Sequence, residues 1–223
     1  IDGDAPRSVG GESRPPATSH QVADNTLRYG DSSGIHVENV AHADVHGNSV
    51  EFLTDHEWSN GIYLARVSVA RVADNTLRDL AGRGIVSHAV DVLDVERNVI
   101  ERVGGDGIVV GTFPQSLVGE SESEPLDHGA ATLWNNSVAF AAHSGIVITE
   151  CVRGEVLLAG NVVTWATLDG IVVLGGLPPT LRDNTVAETG QGDGIFVGAC
   201  AQRISDLTVS SGLQNAGTFT VGA

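Results

Sequence analysis

One phrase recurs along this chain and restricts its fold more than any other feature. An asparagine is followed two places on by an apolar residue, then by a loose turn, then by Gly-Ile. Residues 74–85, D-N-T-L-R-D-L-A-G-R-G-I, are one copy. The asparagines are Asn25, Asn48, Asn75, Asn98, Asn136, Asn161 and Asn184, and the glycines that answer them are Gly34, Gly61, Gly84, Gly107, Gly145, Gly170 and Gly194. A weaker eighth copy runs from Ile204 to Val221, with Leu207 in the asparagine column and Gly217-Thr218 in place of Gly-Ile. A period near 23 residues is short for a repeated helix pair and suits one coil of a solenoid.

Inside each copy the apolar residues alternate in short runs. Ile35, Val37, Val40, Val45 and Val50 fill the inward slots of one coil, and Ile85, Ser87, Val90, Val95 and Ile100 those of another. Alternation signals strand, and three runs per period signal three strands per coil. Each strand then pairs in parallel with its equivalent one coil on, and parallel crossovers favour the right hand. The expected fold is all-β: a right-handed parallel β-helix of about eight coils of roughly 23 residues. The asparagines sit at a corner and bond to the coils above and below, satisfying backbone groups that the corner strands. The glycine of Gly-Ile supplies either a positive φ or a close backbone approach.

Composition agrees. Val, Ile, Leu, Ala and Gly carry the apolar content, aromatics are 4% and Met is absent. The 223 residues read as one domain over 22–223, with an irregular lead-in over 1–21. Two insertions break the period, at 52–59 and 112–130. Per-coil insertions gather on one face of a solenoid, often the binding face, so these two are expected to wall the Gly-Ile sheet. The formal charge of -16 argues against a nucleic-acid partner and for divalent or basic ones. No apolar run is long enough to span a membrane. The chain lacks an initiator Met and a signal sequence, so it is expected to be processed or excised. It ends inside a strand without a polar cap, so a longer parent chain or a second subunit is expected to cover an open coil end. Cys151 and Cys200 share a column two coils apart, about 9–10 Å at the coil spacing, so both are expected as free, mostly buried thiols.

The phrases N-T-L-R-D-L-A-G-R-G-I, N-V-V-T-W-A-T-L-D-G-I-V-V and N-T-V-A-E-T-G-Q-G-D-G-I-F-V resemble the repeats of the pectate-lyase-like superfamily. Within it they look most like mannuronan C5-epimerases, alginate lyases and periplasmic NosD-type proteins. The resemblance implies acidic polysaccharide or oligosaccharide as partner, Ca²⁺ as cofactor, and a secreted, periplasmic or cell-surface location. The epimerases' Y-G-F-D-P-H-type motif is not reproduced: His88 takes the histidine place, but Val86 stands where the Asp belongs. The chain has no Lys to serve as a lyase base, and the paired aspartates and G-H-G of polygalacturonases are missing.

Candidate residues follow from the column two places after each glycine, which faces outward. It holds His36, Tyr63, Val86, Val109, Val147, Val172 and Phe196. His36 and Tyr63 are neighbours about 5 Å apart, and Asp55, His56 and Trp58 enter from the first insertion. Removing the C5 proton of a uronate needs a base, an acid and neutralisation of the carboxylate. His36, His56 and Tyr63 are the proton-transfer candidates; Arg66, Arg83, His88, Trp58 and Asp55 are the substrate-binding ones. The apolar remainder of the column is expected to lie under the long insertion, to stack on sugar, or to form an interface. Asp106, Asp169 and Asp193 precede their glycines. The adjacent pair Asp169 and Asp193 suits Ca²⁺, a retaining glycosidase, or an ordinary Asp-Gly turn. Glu120, Glu122, Glu124, Asp127 and His128 form an acidic loop with the same two readings, ligand set or solvated face. Trp134 and Trp165 serve as sugar platforms or as packing. Uronate lyase or epimerase is the leading reading, followed by a non-catalytic binding, adhesion or assembly module, and then a glycoside hydrolase.

Overall fold

The structure is a computed structural model that describes residues 18–53, 59–111, 128–149, 152–175, 178–199 and 219–221. Among them every regular element is a strand, and no helix is long and apolar enough to cross a membrane. Ile35–His46 and Ser49–Leu53 make one coil, Ile62–Ala73 and Thr76–Leu80 the next, and Ile85–Glu96 and Val99–Val103 a third. Each pairs in parallel with its equivalent. The twelve-residue strands bend at Asn39, Arg66 and Ala89, whose φ angles are 57°, 51° and 51°. That bend fuses the first two expected strands. In the following coils the two separate, as in Ile108–Val110 and Ala130–Trp134. The three-strand coil is therefore present throughout, joined into one eleven-stranded and one eight-stranded sheet.

Alternation decides what goes inside. Val45, Val50, Ile62, Leu64, Ile85, Val90, Val95 and Ile100 are fully buried in one continuous core. Each such side chain contributes roughly 1.5–3 kcal/mol on leaving water. Because β-branched residues stack over β-branched residues, one coil's pleat fits the next without rearrangement.

The asparagine ladder holds the corner between the two sheets. Asn98 Oδ1 accepts from the backbone N–H of Asn75 at 3.0 Å and from its Nδ2 at 2.9 Å, while Asn98 Nδ2 donates to Val72 O at 2.9 Å and to Asn136 Oδ1 at 3.0 Å. The links run without a break from Asn25 to Asn184. They enclose about six turns, fewer than the eight expected. The eighth phrase falls mostly outside the described residues. Its end, Phe219–Val221, pairs antiparallel with Asn184–Ala187 and so adds no parallel coil. Leu207 stands in its asparagine column and has no amide with which to extend the ladder.

The recurrent glycine acts by close approach. A Cβ on Gly61 would lie 2.8 Å from Gly84 O and 2.9 Å from Leu80 Cδ1, and the residue's φ is ordinary. Positive φ falls instead on the residue before each ladder asparagine: Asp24, Gly47, Asp74, Arg97, Asn135, Gly160 and Asp183. Cys151 and Cys200, residues 54–58 of the first insertion and residues 112–127 of the second lie outside the described residues.

Candidate functional site

The outward column is as the repeat predicts. His36 pairs with Tyr63, Tyr63 with Val86, Val86 with Val109, and the column continues through Val147 and Val172 to Phe196. The His36 and Tyr63 rings meet edge to face with centroids 4.9 Å apart and planes at 81°. Two residues along the same strand, Glu38 takes the next outward position, 3.4 Å from His36 Nε2 through one oxygen. Its other oxygen binds the Arg66 guanidinium. Arg66 Nε donates to Asn39 Oδ1 at 2.8 Å. The left-handed bend shared by Asn39 and Arg66 swings both side chains out beside Glu38.

Five side chains from two coils thus form one chain: Tyr63, His36, Glu38, Arg66 and Asn39. Glu38 is a member that the sequence candidates do not include. The signal was legible, since alternation puts it outward and the register sets it beside the residue preceding Arg66. Electrostatically the group balances, because Glu38 answers Arg66 and the imidazole lies at the acidic end. With Glu38 facing Nε2, the neutral ring carries its proton there and presents its lone pair at Nδ1.

The other candidates are distributed differently. Arg83 turns to the following coil, with Nε 3.3 Å from Asp106 Oδ2. His88 shares the outward column of Glu38 and Ala65 but is buried. His56, Asp55 and Trp58 lie outside the described residues, as do Glu120, Glu122, Glu124 and Asp127. His128, expected in the same solvated loop, is instead fully buried inside the solenoid, bridged to Val152 and hydrogen-bonded through Nε2 to Ser87 Oγ. The correction has a simple cause: Ser87 is an inward slot, and its hydroxyl offers the imidazole a partner there. Burial, with the neighbouring His88 adding to it, pushes the His128 pKa down to about 4.

Asp169 and Asp193 are adjacent, and the Asp193 N–H donates to Asp169 Oδ1 at 2.7 Å. The same bond recurs one corner position along the stack: the Ser144 N–H donates to Asp106 Oδ1 at 3.0 Å, and the Arg83 N–H to Asn60 Oδ1 at 3.4 Å. Residues before the glycine therefore build a second, partial ladder. Burial raises the Asp169 pKa, opposed by the Asp193 N–H and assisted by the Asp193 charge. Ca²⁺ takes about six to eight oxygens. Two carboxylates with one oxygen already engaged fall short of that, and no group of three ligating side chains occurs among the described residues. The pair does not fit the cation that the resemblance implies.

The apolar middle of the outward column is closed to solvent at Val109 and opens again at Phe196. Elsewhere, Trp165 stacks on Phe140 at 4.6 Å with planes at 10°, and Tyr29 stacks on Phe52 in the same way at 5.3 Å. All four share a second left-handed column, which lifts them off the eight-stranded sheet. Trp165 stays 49% exposed and Trp134 47%.

A family model described as a right handed beta helix region matches residues 9–121, just over half of the chain. Comparison with curated proteins and with solved structures finds no significant match.

Proposed function

This chain belongs to the right-handed β-helix family, and from that premise we propose that it acts on an acidic, uronate-containing polysaccharide by abstracting the C5 proton. The fold is common to carbohydrate-active proteins; the reaction and substrate are the reading offered here. The observation that carries it is the edge contact between His36 and Tyr63 beside the Glu38–Arg66 pair. His36 is the base that takes the C5 proton, and Tyr63 is the acid that protonates the departing glycosidic oxygen or returns a proton to C5. Arg66 carries the charge that builds on the substrate carboxylate. His56, Asp55 and Trp58 are proposed to approach from the first insertion, with Arg83 and His88 further along the stack. Such chemistry belongs where polysaccharide is met, in a secreted, periplasmic or surface-bound protein. Replacement His36→Gln should lower turnover of a uronate polymer by at least about 10²-fold with the melting temperature unchanged. Undiminished turnover in that variant removes His36 from the reaction.

A second reading, a non-catalytic carbohydrate-binding module, draws on the exposed Phe140–Trp165 stack. Aromatic faces carry sugar rings without chemistry. Binding lost in Trp165→Ala and kept in His36→Gln, with no turnover in either the parent or the variants, would favour this module.

A further inference from the structure

We propose that a second copy of this chain docks on the outward face of the eight-stranded sheet, across a two-fold axis that runs along the strands between Phe140 and Trp165. This surface lies on a different sheet from His36 and Tyr63, and the inference does not depend on the reaction proposed for them.

Register defines the face. Ser137–Ala141, Val162–Ala166 and Asn184–Ala187 are stacked in parallel. Their outward residues fall in columns: Ser137, Val162 and Thr185 in one, Ala139, Thr164 and Ala187 in the next. The left-handed column beside them sets Phe140 and Trp165 between Arg102 and Glu188. Among these outward positions on the three strands and the residue that follows them, only Glu188 is charged. Earlier coils differ: the column that reaches Ala139 begins with Arg28 on Glu51 and Arg78 on Glu101. Yet the uncharged stretch stays open to water, with Val162 41%, Phe140 48% and Trp165 49% exposed. In a chain of formal charge -16, this is where a like-charged copy approaches without setting carboxylate against carboxylate.

Ring orientation narrows what fits there. Phe140 and Trp165 lie parallel, with planes at 10° and centroids 4.6 Å apart. That is close to one coil spacing, so the rings stack along the long axis and turn their edges away from the sheet. Each covers one face of the other. The ridge so formed offers edges to a partner, and edges pack well against a second aromatic pair.

The ends of the ridge fix the operator. Along the stack the order is Arg102, Phe140, Trp165, Glu188. A two-fold axis along the strands reverses that order in the second copy. Arg102 then faces Glu188 of the second copy, and Phe140 faces its Trp165, with both contacts repeated by symmetry. Laying the two stacks in the same direction would instead set Arg102 on Arg102 and Glu188 on Glu188. Because Arg102 already grips Asp79, the incoming carboxylate joins a balanced network and sets register more than affinity. Three coils at about 4.8 Å each make a narrow contact, so the dimer is reversible and depends on concentration.

Analytical ultracentrifugation of the whole chain over a concentration series, at about 0.01 M and about 0.15 M NaCl, tests the proposal. The expected result is a monomer–dimer equilibrium that tightens as salt rises, because screening relieves repulsion between two acidic chains and leaves the aromatic contact in place. Trp165→Ala should weaken dimerisation by at least about 30-fold. Glu188→Arg should weaken it as well, since arginine then meets arginine at both ends, and adding Arg102→Glu should restore it. Circular dichroism checks that each variant folds. If the double variant does not fold, Thr164→Arg decides instead: it sets a cation near the axis in both copies and should abolish the dimer. A chain that stays monomeric at about 1 mM in the higher salt overturns the proposal. So does a dimer that Trp165→Ala or Thr164→Arg leaves intact, or one that loosens as salt rises. A folded double variant no tighter than Glu188→Arg overturns the two-fold placement.

Discussion

At the scale of single residues, the sharpest consequence concerns His128, which does no chemistry in the proposed reaction. Its imidazole lies inside the solenoid and is held neutral by burial, with a pKa of about 4. In the unfolded chain the same group titrates near 6.5. Between those values the unfolded state binds a proton that the folded state refuses, so stability falls as pH drops from about 6.5 to about 4, then levels. The shift is equivalent to about 3 kcal/mol. His128→Gln keeps a polar partner for Ser87 and removes the titration. Its denaturant midpoint should change less than the parent's between pH 7 and pH 4.5, and parallel pH profiles for the two proteins would overturn the assignment. Below this window a second loss is expected. The Asp74, Asp79 and Glu96 carboxylates are all lowered chiefly by hydrogen bonds from Arg97 or Arg102, and their contribution disappears only as pH falls through those depressed values. The inward position of His128 was hidden from sequence reasoning because an insertion precedes it. Once the period is broken, the letters no longer say where the next coil resumes, whereas His36, Tyr63 and Glu38 sit where the period is intact.

At the scale of the element, the ladder corner shows which part of the local geometry was legible. The asparagines could be read from spacing alone, because a carboxamide carries two N–H donors and a carbonyl acceptor, which together serve a stack of parallel coils. The left-handed residue ahead of each one could not. Asp24, Asp74, Arg97, Asn135 and Asp183 carry side chains that ordinarily cost about 1–2 kcal/mol at positive φ, and a glycine marks the place only at Gly47 and Gly160. The corner is tolerated because the ladder outweighs it. In an interior rung, Asn98→Ala would strand the Asn75 N–H and the Val72 carbonyl in a dry corner, and leave Asn136 Oδ1 with one donor in place of two. At about 1–3 kcal/mol per unsatisfied buried group, a loss of about 2–5 kcal/mol is expected from urea denaturation. Asn25→Ala at the end of the row should cost clearly less, since its amide is exposed and bonds to one neighbouring coil. Equal losses at the two positions would mean that the ladder follows the fold and does not hold it.

At the scale of the whole molecule, charge and shape act together. The chain carries 28 acidic residues against 12 arginines and no lysine. The solenoid spends arginines on coil-to-coil contacts: Arg97 grips Asp74 with two bonds of 2.8 and 2.9 Å, and Arg102 grips Asp79 with two of 2.6 and 3.0 Å. A planar fork spans the coil spacing in a way an ammonium would not. Arg28, Arg66, Arg71, Arg78 and Arg83 are engaged in the same manner. What remains is a surplus of carboxylates spread along the stack, repelling one another over distances much longer than the pairs. The two effects respond differently to salt. Contacts near 3 Å lie well inside the Debye length, which falls from about 30 Å at 0.01 M to about 8 Å at 0.15 M, so ions weaken the exposed pairs only in part. Repulsion across several coils is screened almost completely over that range. Exposed pairs are worth about 0–1 kcal/mol each, and the surplus of sixteen charges acts collectively. Raising NaCl from about 0.01 M to about 0.15 M should therefore raise the thermal midpoint of this protein, with MgCl₂ doing so at lower concentration. A midpoint that falls across the same range would mean that the arginine grips carry more of the stability than the surplus charge removes, and that the stack is held from its surface as much as from its core.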